Sequence, residues 1–188
     1  MNKFGLFFII SSLIFAHSAH ALERTEFSFS PFGRKSADKI VVSFLGKKFD
    51  PALDLLKENN AKDIEIKKIQ DFFVKLYRSN STGTKESILS IWAPAERAQV
   101  SKTMTQEYLD QNKSRFAAMT SLRLDSVIKY GDYYVCLLQT EFGNQLYPIK
   151  FTLKPIGDSL YLTNELNGDD FYDNVIHFLD YRREDSRR

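Results

Sequence analysis

Three breaks between residues 122 and 166 leave that part of the chain room for strands and little else. They are Tyr130-Gly131-Asp132, Gly143-Asn144 and Pro155-Ile156-Gly157-Asp158. Each holds a glycine beside an Asp or Asn, the residue types that tolerate the positive φ of tight hairpin connections. The segments between them, 122–129, 133–142, 145–154 and 159–166, therefore read as four consecutive antiparallel strands. The third alternates, with Tyr147, Ile149, Phe151 and Leu153 on one side and Pro148, Lys150, Thr152 and Lys154 on the other. A period of two predicts a meander with one face buried and one face in water. A sheet of that kind needs a second layer to cover its apolar face.

The residues before the meander supply helices for that layer. A short apolar run over 40–45 predicts a strand closed by Gly46. Asp50-Pro51 reads as an N-cap with proline at the first helical position, which predicts a helix over 51–58 burying Leu53, Leu55 and Leu56 and ending at Asn59-Asn60. Over 64–77, Ile66, Ile69, Phe72, Phe73, Leu76 and Tyr77 recur at helical spacing, while Lys67, Lys68, Asp71 and Lys75 fall outside the stripe. Residues 79–83 predict a loop, and 84–92 a helix presenting Ile88, Leu89 and Trp92. Pro94 interrupts that helix, and 95–102 resume as a turn or short helix. Thr105 caps a longer helix through Met119, with Tyr108, Leu109, Phe116 and Met119 inward. After the meander, Asn167-Gly168-Asp169-Asp170 turns the chain into a last helix over 171–181, carrying Val175, Ile176, Phe178 and Leu179. A charged tail occupies 182–188. No repeat or low-complexity linker divides the chain. The expectation is one α+β domain over 40–181, with N-terminal helices packed on an antiparallel β-meander, a C-terminal helix, and an extended lead-in over 22–39.

Residues 1–21 have the form of a secretory signal peptide. Lys3 gives the positive start, 4–16 the apolar run, and Ala19-His20-Ala21 the small-x-small site, so cleavage is expected after Ala21. The run is shorter than the roughly 20 apolar residues of a membrane helix. A periplasmic protein is expected, with no membrane span in the mature chain. The whole chain carries 26 basic and 24 acidic residues, a net +2, and loss of Lys3 leaves +1. A nearly neutral molecule has no overall field to gather nucleic acid, so no nucleic-acid partner is expected. Cys136 is the single cysteine and has no intramolecular partner; between Val135 and Leu137 it reads as a buried thiol.

The helix at 66–77, the run Ile88-Leu89-Ser90-Ile91-Trp92-Ala93-Pro94-Ala95-Glu96, and the strands over 122–166 together resemble the nuclear-transport-factor-like superfamily, a cystatin-like α+β cone. The resemblance covers 64–166 and lies in element order and hydrophobic pattern. It implies a curved sheet wrapped, cone-like, around a long helix. Two features depart from it: 22–60 is extra, and the closing helix lies beyond the usual last strand. Members include ligand-binding proteins, isomerases, dehydratases and non-catalytic assembly domains, so the resemblance implies a pocket without naming its occupant. The residues it would place around that pocket are Trp92, Tyr108, Tyr147, Phe151 and Tyr161, with Tyr161 dependent on one residue of register. Tyr130, Tyr133 and Tyr134, around the first hairpin, read either as packing or as an interaction patch.

Catalytic side chains are few. Once His17 and His20 leave with the signal peptide, His177 is the only histidine. Asp173 lies four residues before it, and Asp169 and Asp170 open the same helix. Asp169, Asp173 and His177 could form a metal or acid–base site, but helix capping with a surface pair explains them more simply. No metal and no cofactor is expected. Gly46-Lys47-Lys48 lacks the upstream glycine and the Ser/Thr of a phosphate loop. The expected function is a non-enzymatic, exported binding or interaction module whose partner is a small apolar ligand or an envelope protein. One rival is a small enzyme of the same fold using Asp125 or Asp132 with a tyrosine for proton transfer. The other is an envelope assembly or inhibitor factor.

Overall fold

The structure, a computed structural model, describes residues 22–29, 40–57, 62–143, 145–176 and 179. It is an α+β arrangement built on one six-stranded antiparallel sheet whose strands lie side by side in chain order. Strands β1 (Glu23–Phe29) and β2 (Ile40–Asp54) come first. A helical run comes next: α1 (Ile64–Thr82), α2 (Lys85–Ser90), a 3₁₀ turn (Pro94–Glu96), α3 (Arg97–Thr103) and α4 (Gln106–Ala117). The meander β3 (Met119–Tyr130), β4 (Tyr133–Phe142), β5 (Gln145–Ile156) and β6 (Ser159–Leu162) then completes the sheet.

The helix expected over 51–58 does not form. Residues 51–54 continue β2 after an irregularity, so that Leu53 and Asp54 face Leu124 and Arg123 of β3. The Leu55 amide donates to the Leu122 carbonyl at 2.8 Å, and the Leu55 side chain is fully buried. An eight-residue helix is marginal on its own, and the edge of β3 offers the same backbone groups ready partners. Gly46 does not close the first strand either; β2 runs through it, opposite Ile128. Within the lead-in expected over 22–39, Glu23–Phe29 form β1 of the sheet, with Phe27 opposite Val42; residues 30–39 lie outside the described residues.

Helix α1 begins where Asp63 Oδ1 accepts from the amides of Glu65 and Ile66, at 2.9 and 3.2 Å. Its stripe of Ile66, Ile69, Phe72, Phe73 and Leu76 is buried, each such side chain contributing about 1.5–3 kcal/mol. The helix runs through the loop expected at 79–83. Asn80, Ser81 and Thr82 bond back to the carbonyls of Leu76, Tyr77 and Arg78, and left-handed Gly83 (φ 72°) ends the helix. At the other end of the helical run, α4 stops at Ala117 because Met119 already pairs with Phe142 as a strand residue.

Both faces of the sheet are buried along β4, against the expectation of one wet face. Tyr134, Cys136 and Leu138 join the α1 core. Val135 and Leu137 point the other way, into a second cluster with Phe27, Phe44, Leu166, Tyr172 and Ile176. The segment after β6 covers that second face. β6 ends at Leu162 rather than 166, because Glu96 captures the next two residues. Its Oε1 accepts from the Thr163 hydroxyl at 2.6 Å and from the Asn164 amide at 3.0 Å. The chain then enters a π-type helical turn at Tyr172–Ile176. Ala21 with the rest of 1–21, His177, and the tail 182–188 lie outside the described residues. No helix among the described residues is long and apolar enough to cross a membrane.

Candidate functional site

A cavity of about 560 Å³ lies where α4 crosses α1 above β4 and β5. That volume falls in the roughly 300–1,000 Å³ range of small-molecule sites. Its walls derive from the periodicities of the elements around it. On α4, Tyr108, Asn112, Arg115 and Phe116 stand at i, i+4, i+7 and i+8, one face of the helix. On β5, Tyr147, Ile149 and Phe151 alternate onto one side. Leu76 and Asn80, a turn apart on α1, form the back wall, and Ile91 and Trp92 enter from the connection after α2.

That connection is held in place as an extra strand-like segment. Trp92 pairs in parallel with Leu162, the Ala93 amide donates to the Leu162 carbonyl at 2.9 Å, and the Leu162 amide donates to the Ile91 carbonyl at 2.8 Å. Phe151 is fixed from behind by Phe73, ring centroids 5.6 Å apart. Tyr147 packs edge-on against Phe142 at 5.8 Å, and its hydroxyl donates to Gln145 Oε1. Tyr108 and Tyr147 are 46% and 43% exposed, so they mark the rim rather than the floor.

Of the five residues expected around a pocket, Trp92, Tyr108, Tyr147 and Phe151 line this cavity and Tyr161 does not. Leu162 takes the inward position, and strand alternation turns Tyr161 to the opposite face, where Arg97 lies over its ring at 5.8 Å. Three polar side chains in the walls and one charged side chain were not foreseen. Asn112 donates its amide to Asn80 Oδ1, and Asn80 donates to the Leu76 carbonyl at 2.7 Å. Thr140 donates to the Ser121 carbonyl at 3.1 Å. Arg115 is the one charged residue among the described lining, and it is exposed, in the last turn of α4. The helical spacing from Tyr108 was the signal that could have found Asn112 and Arg115.

The tyrosines of the first hairpin do not make one patch. Tyr130 and Tyr133 are cross-strand partners on one face, and the next residue, Tyr134, turns to the other and is buried. Each hydroxyl donates to a carboxylate of the chain: Tyr130 to Asp169 at 2.9 Å, Tyr133 to Glu165 at 2.6 Å, Tyr134 to Glu65 at 3.0 Å. Burial, with the bond to Glu65 second, pushes Tyr134 up to about 12. Burial and Asp169 raise Tyr130, and the bond to Glu165 raises Tyr133. Lys154 at 2.6 Å, with Tyr133 after it, lowers Glu165. These contacts tie the hairpin to α1 and to the segment after β6.

Asp169 Oδ1 accepts from the Tyr172 amide at 2.7 Å, capping the helical turn, and Asp173 Oδ2 accepts from the Gly168 amide at 3.1 Å. Among the described residues no group of three His, Cys, Asp or Glu side chains comes together as metal ligands. Asp125 and Asp132 do not line the cavity, and no carboxylate appears among its described lining residues.

No protein-family model matches this chain, and no curated protein matches it. Among solved structures, a candidate dehydratase from the NTF2-like family from Streptomyces avermitilis is similar to it. The two are 13% identical, the match covers 53% of this chain and 92% of that one, and the TM-score is 0.31. That likeness is too slight to say anything about activity.

Proposed function

We propose that this chain is an exported binding module of nuclear-transport-factor-like fold, whose cavity takes a small, largely apolar ligand. The observation that carries the reading is the cavity itself, walled by six aromatic and six aliphatic or methionine side chains with a few polar groups between them. Sites of that composition derive affinity from apolar burial and orientation from the polar minority. Export rests on Lys3, the apolar run 4–16 and Ala19-His20-Ala21, and the periplasm is the compartment it suggests. Binding is favoured over proton transfer because the acid–tyrosine pairs among the described residues lie outside this cavity. Tyr134, bonded to Glu65, holds its proton tightly, which is the wrong direction for a general acid.

Native mass spectrometry of the mature protein, purified gently from the envelope, tests this reading. The expected result is a starting residue of Leu22 and an additional mass of small-molecule size that organic solvent removes. A ligand-free mass, joined to failure of a neutral aromatic probe such as N-phenyl-1-naphthylamine to bind, would overturn it.

A further inference from the structure

The cavity's lining is one-sided in charge, and that narrows the chemistry of its occupant. Among sixteen described lining residues Arg115 is the only ionisable side chain other than the tyrosines, and it is a cation. Its place in the last turn of α4 already suits a positive charge, since the carbonyl end of a helix is electronegative. That alone would not aim it at the cavity. Its spacing from Tyr108 and Asn112 does, by setting it on the face of α4 that forms the wall. No carboxylate of the described residues lies within ion-pair distance of Arg115, and it makes no hydrogen bond to another described group. A guanidinium offers five donors in a planar fork that matches carboxylate, sulfonate or phosphate oxygens. The same cavity is lined by the flat rings of Phe116, Phe142, Phe151 and Trp92, with Tyr147 at its rim. Flat rings stack best on a planar partner.

We infer that the occupant is an aromatic anion: a planar apolar body seated among these rings, with one acidic group at the mouth held by Arg115. The inference rests on the cavity-binding reading above and adds the charge and shape of the ligand. Asn112, one turn inward of Arg115, is 8% exposed and uses its amide nitrogen on Asn80. A cationic ligand is disfavoured by the same arrangement, because it would meet an unneutralised guanidinium at the entrance.

The test uses two probes that share one body. N-phenyl-1-naphthylamine is neutral, and 8-anilinonaphthalene-1-sulfonate carries the same rings with an anionic group. Both are titrated by fluorescence into the full mature protein, the Arg115→Gln variant and the Ile149→Trp variant. Both probes should bind, the sulfonate about fivefold more tightly at low salt, as for an exposed charge pair. Arg115→Gln should abolish that preference, so that the two probes bind alike; circular dichroism should show an intact fold, since Arg115 is exposed. Ile149→Trp should remove binding of both by filling the cavity. Equal affinities in the parent protein, or a preference that survives Arg115→Gln, would overturn the anion inference while leaving the cavity reading intact. Loss of neutral-probe binding in the parent protein would overturn the cavity reading itself.

Discussion

Gly46 offers the sharpest stability prediction. It lies in the middle of β2 opposite Ile128, and a Cβ built on it would sit 2.5 Å from the Val127 carbonyl oxygen and 3.4 Å from the Ile128 Cα. Ordinary contact begins at 3.4 Å, so an alanine intrudes by about 0.9 Å on backbone that cannot rotate away. β3 is pinned on its far side by β4 and packed through Val127 and Ile128, both fully buried, so the strands have to part rather than flex. Overpacking of this kind costs about 1–3 kcal/mol. Stiffening the unfolded chain by replacing glycine offsets about 0.4–1 kcal/mol of it. Taking mid-range values, about 2 kcal/mol less about 0.7, the net loss for Gly46→Ala is about 1 kcal/mol, and at this chain length the melting temperature falls by ~2–4 °C. Thermal unfolding measured by circular dichroism, with a urea titration beside it, reads both. A melting temperature equal to or above that of the parent protein would refute the reasoning, because it would mean the two strands are not held at this separation.

The polar and titratable groups carry the remaining predictions. Folded Tyr134 keeps its proton up to about 12, whereas the unfolded chain releases it near 10.0. Its contribution to stability is thus complete below pH 10 and is lost as pH rises from there through about 12; urea midpoints across that range should fall more steeply in the parent protein than in Tyr134→Phe, and parallel curves would refute the assignment. Burial pushes the Cys136 thiol up, so an aromatic disulfide reagent should find no reactive thiol in the native protein and one per chain in denaturant; rapid native reaction would contradict the burial. Asn112→Ala strands Asn80 Oδ1 and should cost about 1–3 kcal/mol, while Asn80→Leu with Asn112→Leu should cost less than the two single changes together. Strict additivity in that cycle would show the pair is not a unit.

What the sequence made legible was local and periodic. The turns at Gly131 and Gly157 could be placed because their residues need positive φ, observed at 55° and 59°. The α1 stripe from Ile66 to Leu76 was readable because helical spacing and burial coincide there. Three of the misreadings share a cause: a local signal was outweighed by a distant partner. Asp50-Pro51 promises a helix until β3 supplies partners for Leu53 and Leu55. Gly46 suggests a strand end until the position of Val127 is known. Strand character in 163–166 yields to Glu96, almost seventy residues earlier. In the cavity, the aromatic residues were visible as types. Asn80 was not, because 79–83 read as a loop, and Asn112 and Arg115 were not, because on a helix they look like ordinary surface until the crossing of α1 and α4 is fixed.

Trp92 is the chain's only tryptophan, and its position gives the protein an optical readout of its own. Every other aromatic side chain is silent when excitation is confined to the red edge of the absorption band. Whatever emission remains comes from one side chain, on the cavity wall, anchored through Leu162 to the outermost strand of the meander. Any occupant that displaces solvent from that wall changes the colour and lifetime of this emission, so unlabelled libraries can be screened against the unmodified protein.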